Sequence, residues 1–283
     1  MTRVMRTEVV KQLNEQRNSS KAIVVAGAGC GISAKCEEVG GADLIVLESA
    51  GYFRMAGHGS LGSSYSFVNS NHLLLKMAED MIGVVRHTPV IAGVMASDPL
   101  INIDKFLNHL IDLGFSGVIN SPSVADFELM DSDDLESIGL GFSTELKMIE
   151  NTVALGLFTI GNCRNAEQAK AMAVSGADMI VARMGLTSKG LVGSRYPKSL
   201  ADCVACTQVI ADAAKSVNKN ILILCNGGPL ADAESIQYLL DNTKGVSGFF
   251  GGSAIERIPA EEAIIQTARD FKATRLHQGR VGI

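Results

Sequence analysis

Charge is scarce in this chain, and basic charge is nowhere gathered. Only 19% of the 283 residues are charged, the net charge is −5, and no Lys/Arg stripe occurs. Phosphate neutralisation needs clustered cations, so nucleic acid is excluded as a partner. Long apolar runs are missing too. None approaches the roughly 20 residues that span a bilayer, and the first twenty residues hold no signal-peptide core. A soluble, cytoplasmic protein with no membrane contact is expected. Cysteine follows no regular framework: the six, at positions 30, 36, 163, 203, 206 and 225, read as reduced thiols, four of them on strands or strand ends. Cys203 and Cys206 form a lone C-x-x-C one helical turn apart. Without a second pair or nearby histidines, two buried thiols outweigh a zinc site. Histidine is sparse, and His72, His87, His109 and His277 fall in helices or at their ends, where surface or packing roles are the default.

What the chain has instead is alternation. Eight short apolar runs, at 23–27, 43–48, 89–94, 117–121, 157–161, 178–184, 221–226 and 248–252, each end on a small or polar residue and precede a helix-like stretch. Near-continuous apolar runs suit parallel strands buried on both faces. Ser199 with Asp202, Asn165 with Gln168, and Pro259 supply helix-start signals. Eight such units account for about 250 residues, and a hydrophobic content of 47% suffices for a barrel interior and its helical shell. The expected fold is α/β: a single (β/α)8 TIM barrel over residues 21–283, with long loops after strands 2, 4 and 6. Residues 1–20 form a helical extension that presents Val9, Val10 and Leu13 to the barrel bottom. A doubly wound open sheet is the runner-up, but it lacks a G-x-G-x-x-G fingerprint with a downstream acid.

In such a barrel the chemistry lies at the C-terminal strand ends. The loop after strand 2 offers Arg54, His58 and Ser60 among glycines. The loop after strand 6 carries Lys189 and Arg195 among glycines and reads as a hinged lid. Strand 7 ends Asn226-Gly227-Gly228-Pro229, and strand 8 runs on through Gly252, Ser253 and Arg257. Glycine amides after strands 7 and 8 form the usual phosphate cradle of barrels, with turn geometry as the plain alternative. Gly29, Gly31 and Ser33 offer a second set of donors at a helix start. Glu37 and Glu38 stabilise that same start through its dipole. Glu48 and Asp98 are candidate acids or bases, and strand-end carboxylates also serve as caps.

Together the blocks GAGCGISAKCEEVGGADLIVLESA, FRMAGHGSLG, VRHTPVIAGV, MGLTSKG, GGP and GFFGGSAIERIPAEEAI resemble the phosphoenolpyruvate hydrolase-like family of TIM barrels. That module also forms the C-terminal part of a plant virus-resistance protein. GISAKCEEVGGAD is more distantly similar to the Ser-Ala helix start of the phosphoenolpyruvate mutase and isocitrate lyase superfamily. This likeness implies that carboxylate or phosphoryl oxygens meet Gly31, Ile32 and Ser33. Family members carry histidines where this chain has Arg183 and Asn226.

The resemblance implies an enzyme that cleaves a C–C or P–O bond of a small anionic oxyacid or keto substrate by hydrolysis or lyase chemistry. Glu48, His58, Asp98, Arg183 and Asn226 would be its catalytic set. Arg54, Lys189, Arg257, Gly29, Gly31, Ser33, Gly227, Gly228, Gly252 and Ser253 would bind the anion. A Schiff base on Lys35 or Lys189 is a minor route. No cofactor is firmly implied. Mg2+ would have only scattered carboxylates, since no Asp-x-Asp follows strand 3, and its ligands stay unassigned. A homo-oligomer is expected from family and fold habit. The alternative is a barrel that senses a metabolite or binds a protein without turnover, as the plant relative's engagement of a viral replication protein suggests. A flavin-phosphate barrel is a third reading.

Overall fold

The computed structural model describes residues 3–126 and 132–276. The expectation for His277, and the 127–131 part of the loop after strand 4, lie outside them. The strands are β1 (Ile23–Ala28), β2 (Leu44–Leu47), β3 (Val90–Val94), β4 (Gly117–Asn120), β5 (Phe158–Cys163), β6 (Met179–Arg183), β7 (Leu222–Asn226) and β8 (Gly248–Gly251). All pair in parallel with their sequence neighbours, and β8 closes on β1. The closed barrel rules out the doubly wound sheet. The helices are α1 (Arg6–Asn18), α2 (Gly31–Val39), α3 (Ser49–Met55), α4 (Ser70–Met81), α5 (Ile103–Leu113), α6 (Ser132–Ser137), α7 (Phe142–Ala154), α8 (Ala166–Val174), α9 (Leu200–Val217), α10 (Ala233–Asp241) and α11 (Arg257–Lys272).

Strand periodicity divides the core in two. Ile23, Val25, Leu44, Val46, Ile91, Ile119, Phe158, Ile160, Met179, Val181, Leu222, Leu224 and Phe250 fill the barrel, and the alternate residues pack against the helical shell. Val9 and Leu13 of α1 join the inner cluster, while Val10 is half-buried. Arg6 grips Asp178 at the foot of β6 through Nε and Nη2, at 2.9 Å each. The helix starts at 165 and 199 are capped as the residue types predict: Asn165 accepts from Gln168 N at 2.9 Å and Ser199 from Asp202 N at 3.1 Å. Pro259 sits in the first turn of α11, where its missing N–H costs nothing.

The segment after β2 corrects an expectation. It is not an open loop: α3 starts directly after Glu48, and a 3-10 turn at Ser60–Ser64 leads to α4. Its glycine content suggests flexibility, but Gly51 is there for contact. A Cβ on Gly51 would lie 2.7 Å from Ala28 O, and one on Gly29 only 2.1 Å from Gly51 O. The segment after β6 is irregular but docked, with Ser188 N donating to Gly228 O at 2.8 Å and Gly228 N to Gly185 O at 3.1 Å. Cys163, Cys203 and Cys225 are buried and Cys36 is exposed; no disulfide forms among the described cysteines. No described helix is long and apolar enough to cross a membrane.

Candidate active site at the barrel mouth

Two residues beyond the last inward apolar layer, the strand alternation delivers one more inward ring. Its members are Gly27, Glu48, Gly93, Ser121, Asn162, Arg183, Asn226 and Gly252. Six of them, all but Gly27 and Gly93, line a narrow cleft at the mouth, together with Arg54, Ser63, Asp126, Ser253 and Arg257. The two glycines make room for side chains. A Cβ on Gly27 would meet Arg54 Nη2 at 2.9 Å, and one on Gly93 would meet Glu48 Cβ at 2.6 Å. Gly93→Ala is therefore expected to destabilise the barrel by about 1–3 kcal/mol. Urea denaturation would check it, and an unchanged midpoint would mean that Glu48 can step aside freely.

Arg54 organises one side of the mouth. It is 2% exposed, and all three of its guanidinium nitrogens are engaged. Nε donates to Glu256 Oε2 at 2.5 Å, Nη1 to Glu48 Oε1 at 3.2 Å, and Nη2 to the Gly27 carbonyl. Burial works against its charge, yet attraction first to Glu256 and then to Glu48 keeps its pKa above the ordinary value. Glu48 is further oriented by Ser121 Oγ, which donates to Oε2 at 2.6 Å. Glu256 Oε1 accepts from Gly29 N at 2.6 Å.

The opposite side carries the reverse balance. Asp126, with a side chain 3% exposed, accepts from Arg183 Nη1 at 2.7 Å and lies 3.5 Å from Arg164 Nη1. Arg54 is one cation between two carboxylates; Asp126 is one carboxylate between two cations. Within the cleft Glu48, after β2, and Arg183, at the end of β6, thus stand on opposite sides of the barrel. Asn162 is buried, and its Oδ1 has no hydrogen-bond partner among the described residues. Asn226 Nδ2 donates to Phe250 O at 2.7 Å. Behind the cleft, Glu145 of α7 accepts from Asn120 Nδ2 at 2.5 Å, from Ser123 Oγ at 2.9 Å and from Val124 N at 2.7 Å, fixing the segment that presents Asp126. Burial pushes the Glu145 carboxyl up to about 7 against those donors.

Of the residues expected from sequence, the cleft gathers Glu48, Arg54, Arg183, Asn226, Gly252, Ser253 and Arg257. The others sit elsewhere. His58 is exposed beyond α3. Asp98 ties the start of α4 to the segment after β3, accepting from Asn69 Nδ2 at 2.8 Å, Asn71 Nδ2 at 3.0 Å and Leu100 N at 2.9 Å. Lys189 pairs with Asp232, and Lys35 is exposed on α2. Gly31 and Ser33 face outer grooves rather than the mouth, Ile32 is 68% exposed, and Gly29 has given its amide to Glu256. Glu37 and Glu38 lie in the second half of α2, not at its start, and Glu38 accepts backbone amides of Arg86, His87 and Thr88. Gly227 has a φ of +78°, and a Cβ there would lie 2.0 Å from Gly185 O. It and Gly228 serve to dock the segment after β6. Arg257 holds the same segment, through Lys189 O at 3.1 Å and Glu261 at 2.8 Å.

Ser121, Asn162, Asp126 and Glu256 escaped the sequence reading. The two-residue step beyond the inward layer identifies Ser121 and Asn162; no local signal marks the other two.

The donor set also bears on a divalent metal. Mg2+ demands about six oxygens, including charged carboxylates. The two carboxylates that line the cleft, Glu48 and Asp126, are each held by a guanidinium, and no group of three or more His, Cys, Asp or Glu suited to a metal occurs among the described residues. Releasing Glu48 would leave Arg54 buried with a weakened balance, which is costly. As placed, neither cleft carboxylate is free to take Mg2+.

Comparison with known proteins agrees with this architecture. The phosphoenolpyruvate hydrolase-like profile matches residues 8–274. The chain belongs to the phosphoenolpyruvate hydrolase-like family. Among curated relatives of this family member, the "ToMV susceptible protein tm-1(GCR26)" of Solanum lycopersicum is 44% identical over 268 residues, covering 95% of this chain and 36% of the relative. The chain therefore spans about a third of that relative's length. Among solved structures, 2,3-dimethylmalate lyase, a PEP mutase/isocitrate lyase superfamily member, has a TM-score of 0.62 at 16% identity, covering 99% of this chain and 92% of that one. A phosphonopyruvate hydrolase complex with oxalate and Mg2+ has a TM-score of 0.59 at 15% identity, covering 100% and 92%. At these identities the structural likeness speaks for the fold.

Proposed function

We propose that the cleft is the active site of a hydrolytic or lyase-type enzyme that breaks a C–C or P–O bond beside a carbonyl in a small anionic oxyacid. The observation that carries this reading is the placing of Arg183 on one side of the mouth and the oriented Glu48 carboxylate on the other. A guanidinium offers donors and no acceptor, so Arg183 binds the substrate's anionic group. Glu48, its carboxylate fixed by Arg54 and Ser121, takes the proton from water or from the substrate. Asn162 and Asn226 line the same cleft, and their Nδ2 hydrogens not used within the protein polarise the carbonyl and stabilise the developing oxyanion. Two proteins that share the fold are a lyase and a hydrolase, the general kind of reaction proposed.

A metabolite-binding barrel without turnover is the second reading. It is favoured by the engagement of both Glu48 oxygens and by the absence of any histidine among the cleft-lining residues. Phosphorus NMR of phosphoenolpyruvate, together with an assay of oxalate release from oxaloacetate, separates the two. Turnover of one substrate that disappears in Glu48→Gln is expected. Unchanged spectra and no oxalate would overturn the enzymatic reading in favour of the binding one.

A further inference from the structure

The mouth has arginine where the chemistry of a dianion calls for concentrated positive charge, and its carboxylates are already spoken for. Arg183 makes one hydrogen bond among the described residues, from Nη1 to Asp126 at 2.7 Å. Its Nε and Nη2 donors have no acceptor among the described residues, and its side chain is 16% exposed at the cleft. The same carboxylate also lies 3.5 Å from Arg164 Nη1. Arg54, by contrast, is fully used by Glu48, Glu256 and Gly27.

We propose that Arg183, braced by Asp126, supplies the positive charge that binds a small dicarboxylate dianion in this cleft without any divalent cation. The inference rests on the reading of the cleft as a site for a small oxyacid and deepens it. A planar guanidinium with two adjacent N–H donors matches a carboxylate geometrically, and in a cleft partly shielded from water such a charge-assisted pair is strong. A metal ion would compete with Arg183 for Asp126 and with Arg54 for Glu48, and each guanidinium would repel it. The site carries its cation covalently, on β6, and holds its orientation through the segment that Glu145 fixes.

The test is titration calorimetry of the full chain with oxalate as probe, in the presence of a chelator and again with excess Mg2+. The expected result is the same affinity, within about twofold, in both conditions. Arg183→Met should weaken binding by at least about tenfold and Arg183→Lys by less, since loss of one charge-assisted pair is worth roughly 1.5–3 kcal/mol. The wild-type comparison does not depend on the variants' stability, and circular dichroism of Arg183→Met checks that its fold persists. Oxalate binding that requires Mg2+ would overturn this inference while leaving the oxyacid site standing. Failure to bind oxalate in either condition would overturn both. Tight, metal-free binding that Arg183→Met leaves intact would also overturn the proposal, because the cation would then be another.

Discussion

Replacing Arg54 by methionine is expected to cost about 3–5 kcal/mol of folding stability, the size of effect seen when one partner of a buried ion pair is removed. The side chain is 2% exposed and lies between Glu48 and Glu256. Its loss would strand two carboxylates in the barrel mouth and unpair the Gly27 carbonyl. The slot cleared by Gly27 and Gly252 would be left partly empty, since each would place a Cβ 2.9 Å from the guanidinium. Lysine should recover little, because a single ammonium cannot reach three acceptors set around a planar fork. Urea denaturation of wild type, Arg54→Met and Arg54→Lys provides the measurement. A midpoint unchanged in Arg54→Met would show that the two carboxylates find other partners or take up protons at no cost. A lowered midpoint would separate Arg54, acting on the fold, from the ligand-binding role proposed for Arg183.

Glu37→Gln should be more stable than wild type by a margin that grows as pH rises, the reverse of the usual result for removing a carboxylate. Glu37 projects from α2 toward the groove against α11, it is 7% exposed, and neither of its oxygens has a hydrogen-bond partner among the described residues. Burial first, and then the nearby Glu256, push its carboxyl up to about 8, with Arg54 pulling the other way. The folded state therefore prefers the protonated form, while the unfolded chain ionises near 4.5. Stability due to this group is fully present below about pH 4.5 and declines as pH rises, until the folded state ionises as well near pH 8. The slope cannot exceed about 1.4 kcal/mol per pH unit for one proton. Glutamine has no such titration. The advantage of Glu37→Gln over wild type should thus grow between pH 4.5 and 8 and level off beyond. Glu145, whose carboxyl is raised to about 7, titrates in both proteins and cancels in the difference. Chemical denaturation at a series of pH values measures it, and parallel curves would mean that Glu37 is ionised throughout.

Much of the architecture was legible in the sequence because the signals are local. Continuous apolar runs bounded by turn residues mark the strands, and Asn165 and Ser199 cap the helices they precede. Val9 and Leu13 need only a helical period to share a face. The strand ends that build the mouth were equally legible, since Glu48, Arg183 and Asn226 follow their inward-facing neighbours by two residues. The same count reaches Ser121 and Asn162, which attract less notice because serine and asparagine at strand ends are ordinary turn residues.

Three-dimensional structure alone decided what these residues are free to do. Arg54 reads as an anion binder until Glu256, 202 residues further along, takes its Nε. Gly29 offers an amide until the same carboxylate accepts it. Gly227 and Gly228 suit a phosphate cradle, yet their backbone docks the segment after β6. Asp98 and His58 have the right chemistry but fall outside the cleft. A residue's type and its position on a strand are properties of the chain. Whether its hydrogen-bonding capacity is already satisfied depends on partners that barrel closure brings from far along the sequence, and that satisfaction separates the arginine that holds the fold from the one proposed to bind the ligand.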